Sequence, residues 1–279
     1  MEPRATSEPP IDVEAFRRFE RDGWDRVAHL YDAVWAPLTT QFLAPLLDAA
    51  GLAAGQRVLD VACGPGYLAA AAAARGAGVV AVDLSPAMAA EARRRHPGLD
   101  VRTSPAEAID LPSASFDRVL MSFGISHVAD PPAVFREARR LLRAGGAFAF
   151  TAWAGPADSP GGRLIEGAIG AHARPAADLP RGPDSYRYAD PELARQALIA
   201  AGFGDVSSSL VVRAWRLPSA AALVAAELHA GVRTAALLAR QEPARLAAIA
   251  ADLEAGLEPH RDGAGFALPM GACVYVARG

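Results

Sequence analysis

The stretch from Val58 to Tyr67, VLDVACGPGY, constrains the fold more than any other part of this chain. It reads as an apolar strand with an acidic residue, Asp60, near its carboxyl end, then a turn with two glycines, then a helix. Glycine permits the dihedral angles of a tight turn and a close approach of the backbone to a neighbour. A second apolar run, Val79–Val82, follows one helix later and also ends in an acid, Asp83. This order predicts two neighbouring parallel strands with acids at their tips.

The alternation of strands and helices continues along the chain and indicates an α/β fold. Further strands are predicted at 99–102, 116–123, 147–153, 203–212 and 266–277. Right-handed crossovers between such strands give a Rossmann-like, doubly wound and mostly parallel sheet, here of seven strands. Because the last strand follows helical insertions, we expect it to join the sheet as an antiparallel edge.

The segments around this core predict one domain from residue 11 to residue 279. Apolar residues three and four apart indicate a helical cap before the core, and the rhythm breaks after it into insertions that we expect to form a lid. The boundaries are 1–10 for a disordered tail, 11–50 for the helical cap, 55–154 for the core, and 155–189 and 215–262 for the lid insertions.

Composition excludes several classes of protein. Hydrophobic residues make up 52% of the 279 residues and charged residues 21%, which argues against a disordered chain. A net charge of −3 argues against a broad nucleic-acid surface. The cysteines, Cys63 and Cys273, have no metal-binding spacing, so no metal site is predicted. Without a signal peptide or a long apolar run, a cytoplasmic protein with no membrane span is expected.

The polar residues at strand ends predict where a ligand binds. In an open parallel sheet, ligands bind beyond the carboxyl ends of the strands, where Asp60, Asp83, Glu107, His127 and Trp153 are expected. Two acids at adjacent strand tips suit the amine and hydroxyl groups of a nucleoside ligand.

Asp83 is placed to accept hydrogen bonds from both hydroxyls of a ribose. The competing interpretation is an acid that caps the following helix. Ser85, followed by Pro86 at the first helical position, is better placed for that cap.

An ordered set of motifs resembles a known enzyme family. It comprises residues 58–69, VDLSP at 82–86, SFDRV at 115–119, SFG at 122–124 and the turn at 142–146. Together they resemble the class I S-adenosylmethionine-dependent methyltransferases, in particular the ubiquinone/menaquinone C-methyltransferase-like group. The resemblance covers roughly residues 20–155 and implies methyl transfer from S-adenosyl-L-methionine to a small molecule, such as an aromatic, quinone-like or secondary metabolite.

The resemblance implies which residues contact the methionine end of the cofactor. Asp60 would contact the amine, and the backbone of Ala62 and Gly64 would line the methionine moiety. Gly66 would complete the close-approach turn. Tyr31 resembles the helix tyrosine that closes over the cofactor in such enzymes.

The same resemblance assigns the adenosine end. Asp83 would hold the ribose, and Leu84 and Met88 would pack on the adenine ring. The backbone of Ala106 would meet the adenine edge, and the carbonyl of Met121 would face the amino group.

Three residues depart from the family pattern. Ala144 replaces a frequent proline, with little consequence expected. Ala62 replaces the usual first glycine, which we expect to be a mild change. Pro105 stands where many relatives carry an aspartate that accepts a hydrogen bond from the adenine amine, so the affinity for adenine is expected to be reduced.

His127, just after the fourth predicted strand, is the candidate general base. Methyl transfer chiefly requires alignment of the nucleophile, and a base helps when the acceptor is a phenol, a hydroxyl or an acidic carbon. The alternative is a histidine that packs under the lid. Three tryptophans could line a pocket for an aromatic acceptor or belong to the core: Trp35, Trp153 and Trp215.

Other functions remain open from sequence. Gly64-x-Gly66-x-x-Ala69 with Asp83 downstream also fits a dinucleotide-dependent oxidoreductase. A non-methylating relative, such as a cyclase that uses S-adenosylmethionine structurally, is a further alternative. The expected partner is a small-molecule substrate rather than nucleic acid, and a homodimer is possible.

Overall fold

The computed structural model describes residues 11–279, and the predicted disordered tail at 1–10 lies outside the described residues. The helices are α1 (Val13–Val27), α2 (Tyr31–Val34), α3 (Ala36–Thr39), α4 (Leu43–Ala49), α5 (Tyr67–Ala74), α6 (Pro86–Arg95), α7 (Pro131–Leu141), α8 (Pro160–His172), α9 (Pro191–Ala200), α10 (Ala220–His229), α11 (Arg233–Leu238) and α12 (Pro243–Leu257). The strands are β1 (Arg57–Val61), β2 (Gly78–Asp83), β3 (Asp100–Thr103), β4 (Phe116–Ser122), β5 (Leu142–Trp153), β6 (Asp205–Leu217), β7 (Arg261–Asp262) and β8 (Gly265–Arg278).

The strands form one mixed sheet in the order β3-β2-β1-β4-β5-β8-β6, and the short β7 pairs with β8. Strands β1 to β5 pair in parallel, whereas β8 is antiparallel to both β5 and β6. The predicted α/β class and the antiparallel last strand are confirmed. The count of seven strands missed β7, which forms a two-residue hairpin with β8 around Gly263 at φ +62°.

The predicted edge position of the last strand is wrong. Strand β8 lies inside the sheet, and β6 forms the edge. Nearly every residue of β8 from Met270 to Ala277 is buried, whereas β6 is mostly exposed. A strand that is apolar on both faces is stabilised between neighbours and under helices, and a more polar strand tolerates the edge.

The starts of the helices follow the cap residues in the sequence. Oγ of Ser85 accepts a hydrogen bond from the N–H of Met88, as predicted. Asp25 of α1 accepts hydrogen bonds from Oγ of Ser85 and from the N–H of Ala87. The last turns of α1 are therefore fixed to the start of α6, next to the carboxyl end of β2.

The two insertions share an apolar cluster with the N-terminal helices and with β8. Helices α8, α10 and α12 pack together and against β6 and β8. Trp215, Leu223, Leu253 and Leu268 are almost completely buried in this cluster. The insertions are thus folded parts of the domain, which can hold side chains in fixed positions.

No helix within residues 11–279 has the length and apolar character needed to cross a membrane.

Candidate active site

A cavity of about 270 Å³ lies beyond the carboxyl ends of β1, β2 and β4. The turns after these strands, the N-terminal helices and both lid insertions line it. The predicted site residues that line it are Tyr31, Asp60, Ala62, Gly64, Asp83, Leu84, Met88, Ala106 and His127. Residues that were predicted from separate motifs therefore share one cavity.

Gly66 and Met121 lie outside the lining of this cavity. Gly66 has φ +85°, and a Cβ there would come within 3.1 Å of the His96 ring and 3.2 Å of Cβ of Ala92. Met121 is completely buried, and its Cγ would lie 3.0 Å from a Cβ placed on Gly124. Both residues shape the turns around the cavity, and their direct contact with a cofactor stays a prediction.

The turn after β1 carries backbone strain that the sequence analysis underestimated. Ala62 has φ +55°, in the left-handed region where a side chain costs roughly 1 kcal/mol. Phe123, after β4, has φ +58°. A Cβ on Gly124 would lie only 2.6 Å from Cβ of Ala62, so the two turns are in close contact. Alanine in place of glycine at position 62 is thus a strained substitution, and such strain concentrates at functional sites.

The carboxylate of Asp83 is held in one orientation by the main chain. Oδ2 accepts a hydrogen bond from the N–H of Gly64 at 2.7 Å, and Oδ1 from the N–H of Ser85 at 2.8 Å. Burial raises the pKa of Asp83 to about 6, although these two hydrogen bonds lower it. Each oxygen retains a lone pair for a further donor. The side chain is therefore arranged to accept two hydrogen bonds from a ligand.

Asp60 is a buried acid without a partner. It is 1% exposed, and neither carboxylate oxygen has a hydrogen-bond partner among the described residues. Burial, together with the nearby Asp83, raises its pKa well above the ordinary range. The nearby N–H of Ala69 lowers the pKa of Asp60 in part, although it lies outside hydrogen-bonding geometry. A buried carboxylate of this kind is stabilised by a ligand that brings a positive charge or N–H donors.

His127 forms a pair with a residue that the sequence analysis missed. Its Nδ1 lies 3.0 Å from Oε2 of Glu20, which is 1% exposed on α1. The Trp24 ring packs nearly at right angles to the imidazole, with the ring centres 4.9 Å apart. Glu20, Trp24 and His127 all line the cavity. The carboxylate fixes the orientation of the imidazole through Nδ1, which leaves the other ring nitrogen for proton transfer.

A pattern in the sequence could have identified Glu20. Helix α1 buries Phe16, Glu20, Gly23 and Val27, which share one face at helical spacing. An acid on the apolar face of a helix is rarely buried without a functional or structural partner. Glu107, by contrast, was expected near the strand ends, and its carboxylate lies 3.6 Å from the Arg17 guanidinium in the cavity wall.

The lid contributes polar residues that were not predicted either. Glu166, Tyr186, Glu227 and Arg233, all within the two insertions, line the cavity. Glu227 stands alone in the apolar run AAALVAAELH of α10, which was the available signal. It is 5% exposed, and burial, with the charge of Glu166, raises its pKa to about 8.

Two of the three candidate tryptophans line the cavity. Trp153 stacks on Phe123 with ring centres 4.0 Å apart, and both face the cavity. Trp35 also lines it and stacks on Trp215, which is buried in the lid core. His127 is the histidine in the lining, whereas His172 pairs with Asp252 outside it.

The side chains on the sheet side of the cavity fit S-adenosylmethionine. That molecule carries a protonated amine and two ribose hydroxyls, which match the unpartnered oxygens of Asp60 and the two oriented oxygens of Asp83. Among residues 11–279, no cluster of three or more histidine, cysteine or acidic side chains is placed to hold a metal ion.

Comparison with known proteins agrees with this geometry. Residues 59–150 match the model of a family described as a methyltransferase domain. The nocamycin O-methyltransferase of Saccharothrix syringae is 34% identical over 264 residues, covering 86% of this chain and 91% of that protein. A demethylmenaquinone methyltransferase of Clavibacter sepedonicus is 40% identical over 147 residues, covering 50% of this chain but only 57% of that protein.

A solved structure shares the fold over almost the whole chain. The (4+2)-cyclase SpnF matches with a TM-score of 0.58 and 18% identity, covering 97% of this chain and 98% of that one. At this identity the likeness shows the fold alone. The glycine turn in the sequence is compatible with either a methyl donor or a dinucleotide. The match to a methyltransferase over 86% of the chain favours the methyl donor. The chain belongs to the class I S-adenosylmethionine-dependent methyltransferases.

Proposed function

We propose that this protein transfers the methyl group of S-adenosylmethionine to a nucleophilic atom of a small-molecule acceptor. The observation that carries the proposal is the buried, unpartnered carboxylate of Asp60 beside the oriented carboxylate of Asp83. The names of two relatives, a nocamycin O-methyltransferase and a demethylmenaquinone methyltransferase, support a small-molecule acceptor.

The cofactor half of the cavity supports a definite assignment of contacts. Asp60 would hold the methionine amine, and Asp83 would accept hydrogen bonds from both ribose hydroxyls. Leu84, Met88 and Ala106 supply apolar surface for the adenine ring. The N–H of Gly64 donates to Asp83, so the turn that carries Ala62 and Gly64 lies beside that acid.

Tyr31 would close the methionine end of the site. Its hydroxyl lies 3.2 Å from Oγ1 of Thr39. Burial raises the pKa of Tyr31, and the charges of Asp83 and Asp60 add to the rise. The hydroxyl therefore remains protonated and can donate a hydrogen bond within this acidic region.

His127 would act as the general base. When bound, S-adenosylmethionine supplies an electrophilic methyl group on a sulfonium centre. Nδ1 of His127 donates its proton to Glu20, so Nε2 is the nitrogen that can accept a proton from the acceptor. Glu20 stabilises the resulting imidazolium, and the apolar walls exclude water from the transfer.

The proposal extends to location and partners. The enzyme would be cytoplasmic and would not act on nucleic acid, and the net charge of −3 supports the second point. A homodimer would be supported by the open edge of β6, where Leu210 and Val212 are 48% and 44% exposed. An exposed edge with apolar side chains is a common pairing surface.

Calorimetric titration tests the cofactor assignment directly. S-adenosylmethionine and S-adenosylhomocysteine should bind saturably, and NAD should not. Formation of S-adenosylhomocysteine from S-adenosylmethionine, in the presence of phenolic and quinol acceptors, would then identify methyl transfer. Binding of the adenosyl ligands without turnover of any acceptor would favour a non-methylating relative. Absence of adenosyl binding would overturn the proposal.

A further inference from the structure

The lid half of the cavity contains a buried acid that methyl transfer as described above does not use. Glu227 on α10 is 5% exposed and lines the cavity. Among residues 11–279, no hydrogen bond or ion pair engages its carboxylate. A buried acid without a partner is costly to the folded protein, and its cost falls when a ligand supplies a donor or a positive charge.

The groups around Glu227 supply no positive charge to its carboxyl group. The carboxylate of Glu166 on α8 disfavours ionisation of Glu227. The hydroxyl of Tyr186 lies 3.3 Å from Oε1 of Glu166, to which it donates. Arg233 on α11, a cation in the cavity lining, donates to the carbonyl of Pro183 at 2.9 Å and to Oγ of Ser185 at 2.6 Å. Arg233 therefore stabilises the segment between α8 and α9, and it forms no ion pair with either acid among the described residues.

Aromatic rings line the same cavity. Trp35, Phe123 and Trp153 line it, and Trp24 lies at the side of His127. Aromatic faces bind flat apolar groups and also attract cations. Aromatic walls combined with acidic side chains that lack an ion-pair partner are suited to a ligand that is aromatic or apolar at one end and cationic at the other.

We propose that Glu227, with Glu166, binds a protonated amine on the methyl acceptor, whose nucleophile reaches His127. This inference rests on the proposed methyltransferase function and names the acceptor class as an amphipathic amine. The ammonium group is distinct from the atom that is methylated, because the nucleophile must carry a free lone pair. Hydrogen bonds between an ammonium and two carboxylates are charge-assisted and strong in a buried site.

Binding of an ammonium has a proton signature. The charges that face Glu227 are Glu166 on α8 and the Tyr186 hydroxyl, with Arg233 acting on Glu166. Burial raises the pKa of Glu227 to about 8, so at about pH 7 the free protein holds a proton there. A bound ammonium favours the ionised carboxylate, so its binding releases that proton.

The experiment uses the full chain saturated with S-adenosylhomocysteine, so that Asp60 and Asp83 are already engaged. Calorimetry at about pH 7 compares 2-phenylethylamine with its uncharged analogue 2-phenylethanol. The amine should bind about ten-fold tighter than the alcohol, the size expected of a charge-assisted hydrogen bond. Repetition in buffers of different ionisation enthalpy should reveal proton release with the amine alone.

Two variants isolate the residue. Glu227→Gln should remove both the preference for the amine and the proton release, while binding of S-adenosylhomocysteine and of the alcohol is retained. Glu254→Gln, an exposed glutamate on the neighbouring α12, should behave like the native protein. Equal binding of the two probes, failure of the amine to bind, or a preference that survives in Glu227→Gln would overturn the inference. Failure to bind S-adenosylhomocysteine would instead contradict the proposed function.

Discussion

The two halves of the cavity hold their acidic side chains by different means. On the sheet side, Asp83 follows directly from a strand, and two backbone N–H groups fix its carboxylate. On the lid side, Glu166 and Glu227 project from helices, and no backbone donor fixes either of them among the described residues. The sheet half is therefore preorganised by the main chain, whereas the lid half depends on which side chains the insertions carry.

This difference predicts that the two halves of the cavity bind different ligands. Main-chain geometry changes little when side chains are substituted, so it suits a ligand common to a whole family. Side chains on inserted helices can be exchanged without disturbing the sheet, so they suit an acceptor that differs between relatives. Variants on the sheet side should consequently affect cofactor binding, and variants on the lid side should affect acceptor choice.

The largest effect is expected from Asp83→Ala. It removes the acceptor for both ribose hydroxyls, and two hydrogen bonds to a charged group give a loss of roughly a thousand-fold in affinity for S-adenosylhomocysteine. Calorimetric titration measures this loss. Because the variant also removes the acceptors for Gly64 and Ser85, Asp83→Asn should be tested with it, together with the circular dichroism spectrum.

Asp100→Ala is the matched control for this variant. Asp100 begins β3 at the opposite end of the sheet and forms an exposed ion pair with Arg102. Exposed pairs contribute little, so its affinity should equal that of the native protein. Unchanged affinity in Asp83→Ala would remove the main distinction between the two halves.

The next largest effect concerns the residue between the two halves. His127→Ala should lower turnover by about a hundred-fold, the contribution typical of a general base, while affinity for S-adenosylhomocysteine is unchanged. Glu20→Gln should lower turnover less and change its pH profile, because a neutral amide no longer stabilises the protonated imidazole. His172→Ala, in a pair outside the cavity, is the control. Native turnover in His127→Ala would assign the base elsewhere.

How far sequence predicts this site depends on the range of the interactions. Asp60, Asp83 and Ser85 follow from local patterns, since each lies where a strand or a helix begins or ends. The contact between Glu20 and His127 joins residues 107 positions apart, and no local spacing encodes it. The place of β8 was also missed, because pairing order depends on competition among strands for burial rather than on the strand itself.

Asp60→Asn should have opposite effects on the stability of the protein and on its affinity for S-adenosylmethionine. Removing a buried, unpartnered charge should raise the free energy of unfolding of the ligand-free protein by about 1–3 kcal/mol at neutral pH. The same change should weaken binding of S-adenosylmethionine by about ten-fold, because the amine loses its counter-charge. Thermal unfolding and calorimetry together test this opposition; a variant that is less stable than the native protein would contradict it.

The pH dependence of the stability provides a second test of the same prediction. Burial raises the pKa of Asp60, of Asp83 to about 6 and of Glu227 to about 8, so the folded state binds more protons than the unfolded chain. The stability contributed by these protons is present at low pH and is lost as the pH rises through the folded values. The ligand-free protein should therefore lose stability between about pH 4 and pH 8, and Asp60→Asn should make this loss smaller.

The smallest effect is expected from relief of the backbone strain at Ala62. Ala62 has φ +55°, which glycine adopts without steric cost, so Ala62→Gly should relieve roughly 1 kcal/mol in the folded state. Glycine also gains conformational freedom in the unfolded chain, which offsets part of this. The net result should be a Tm higher by about 1 °C, measured by scanning calorimetry without ligand. Ala114→Gly, at φ +52° in an exposed loop away from the cavity, is the control for strain relief alone. If Ala62→Gly gains stability but weakens cofactor binding where Ala114→Gly does not, the strained alanine contributes to the shape of the site.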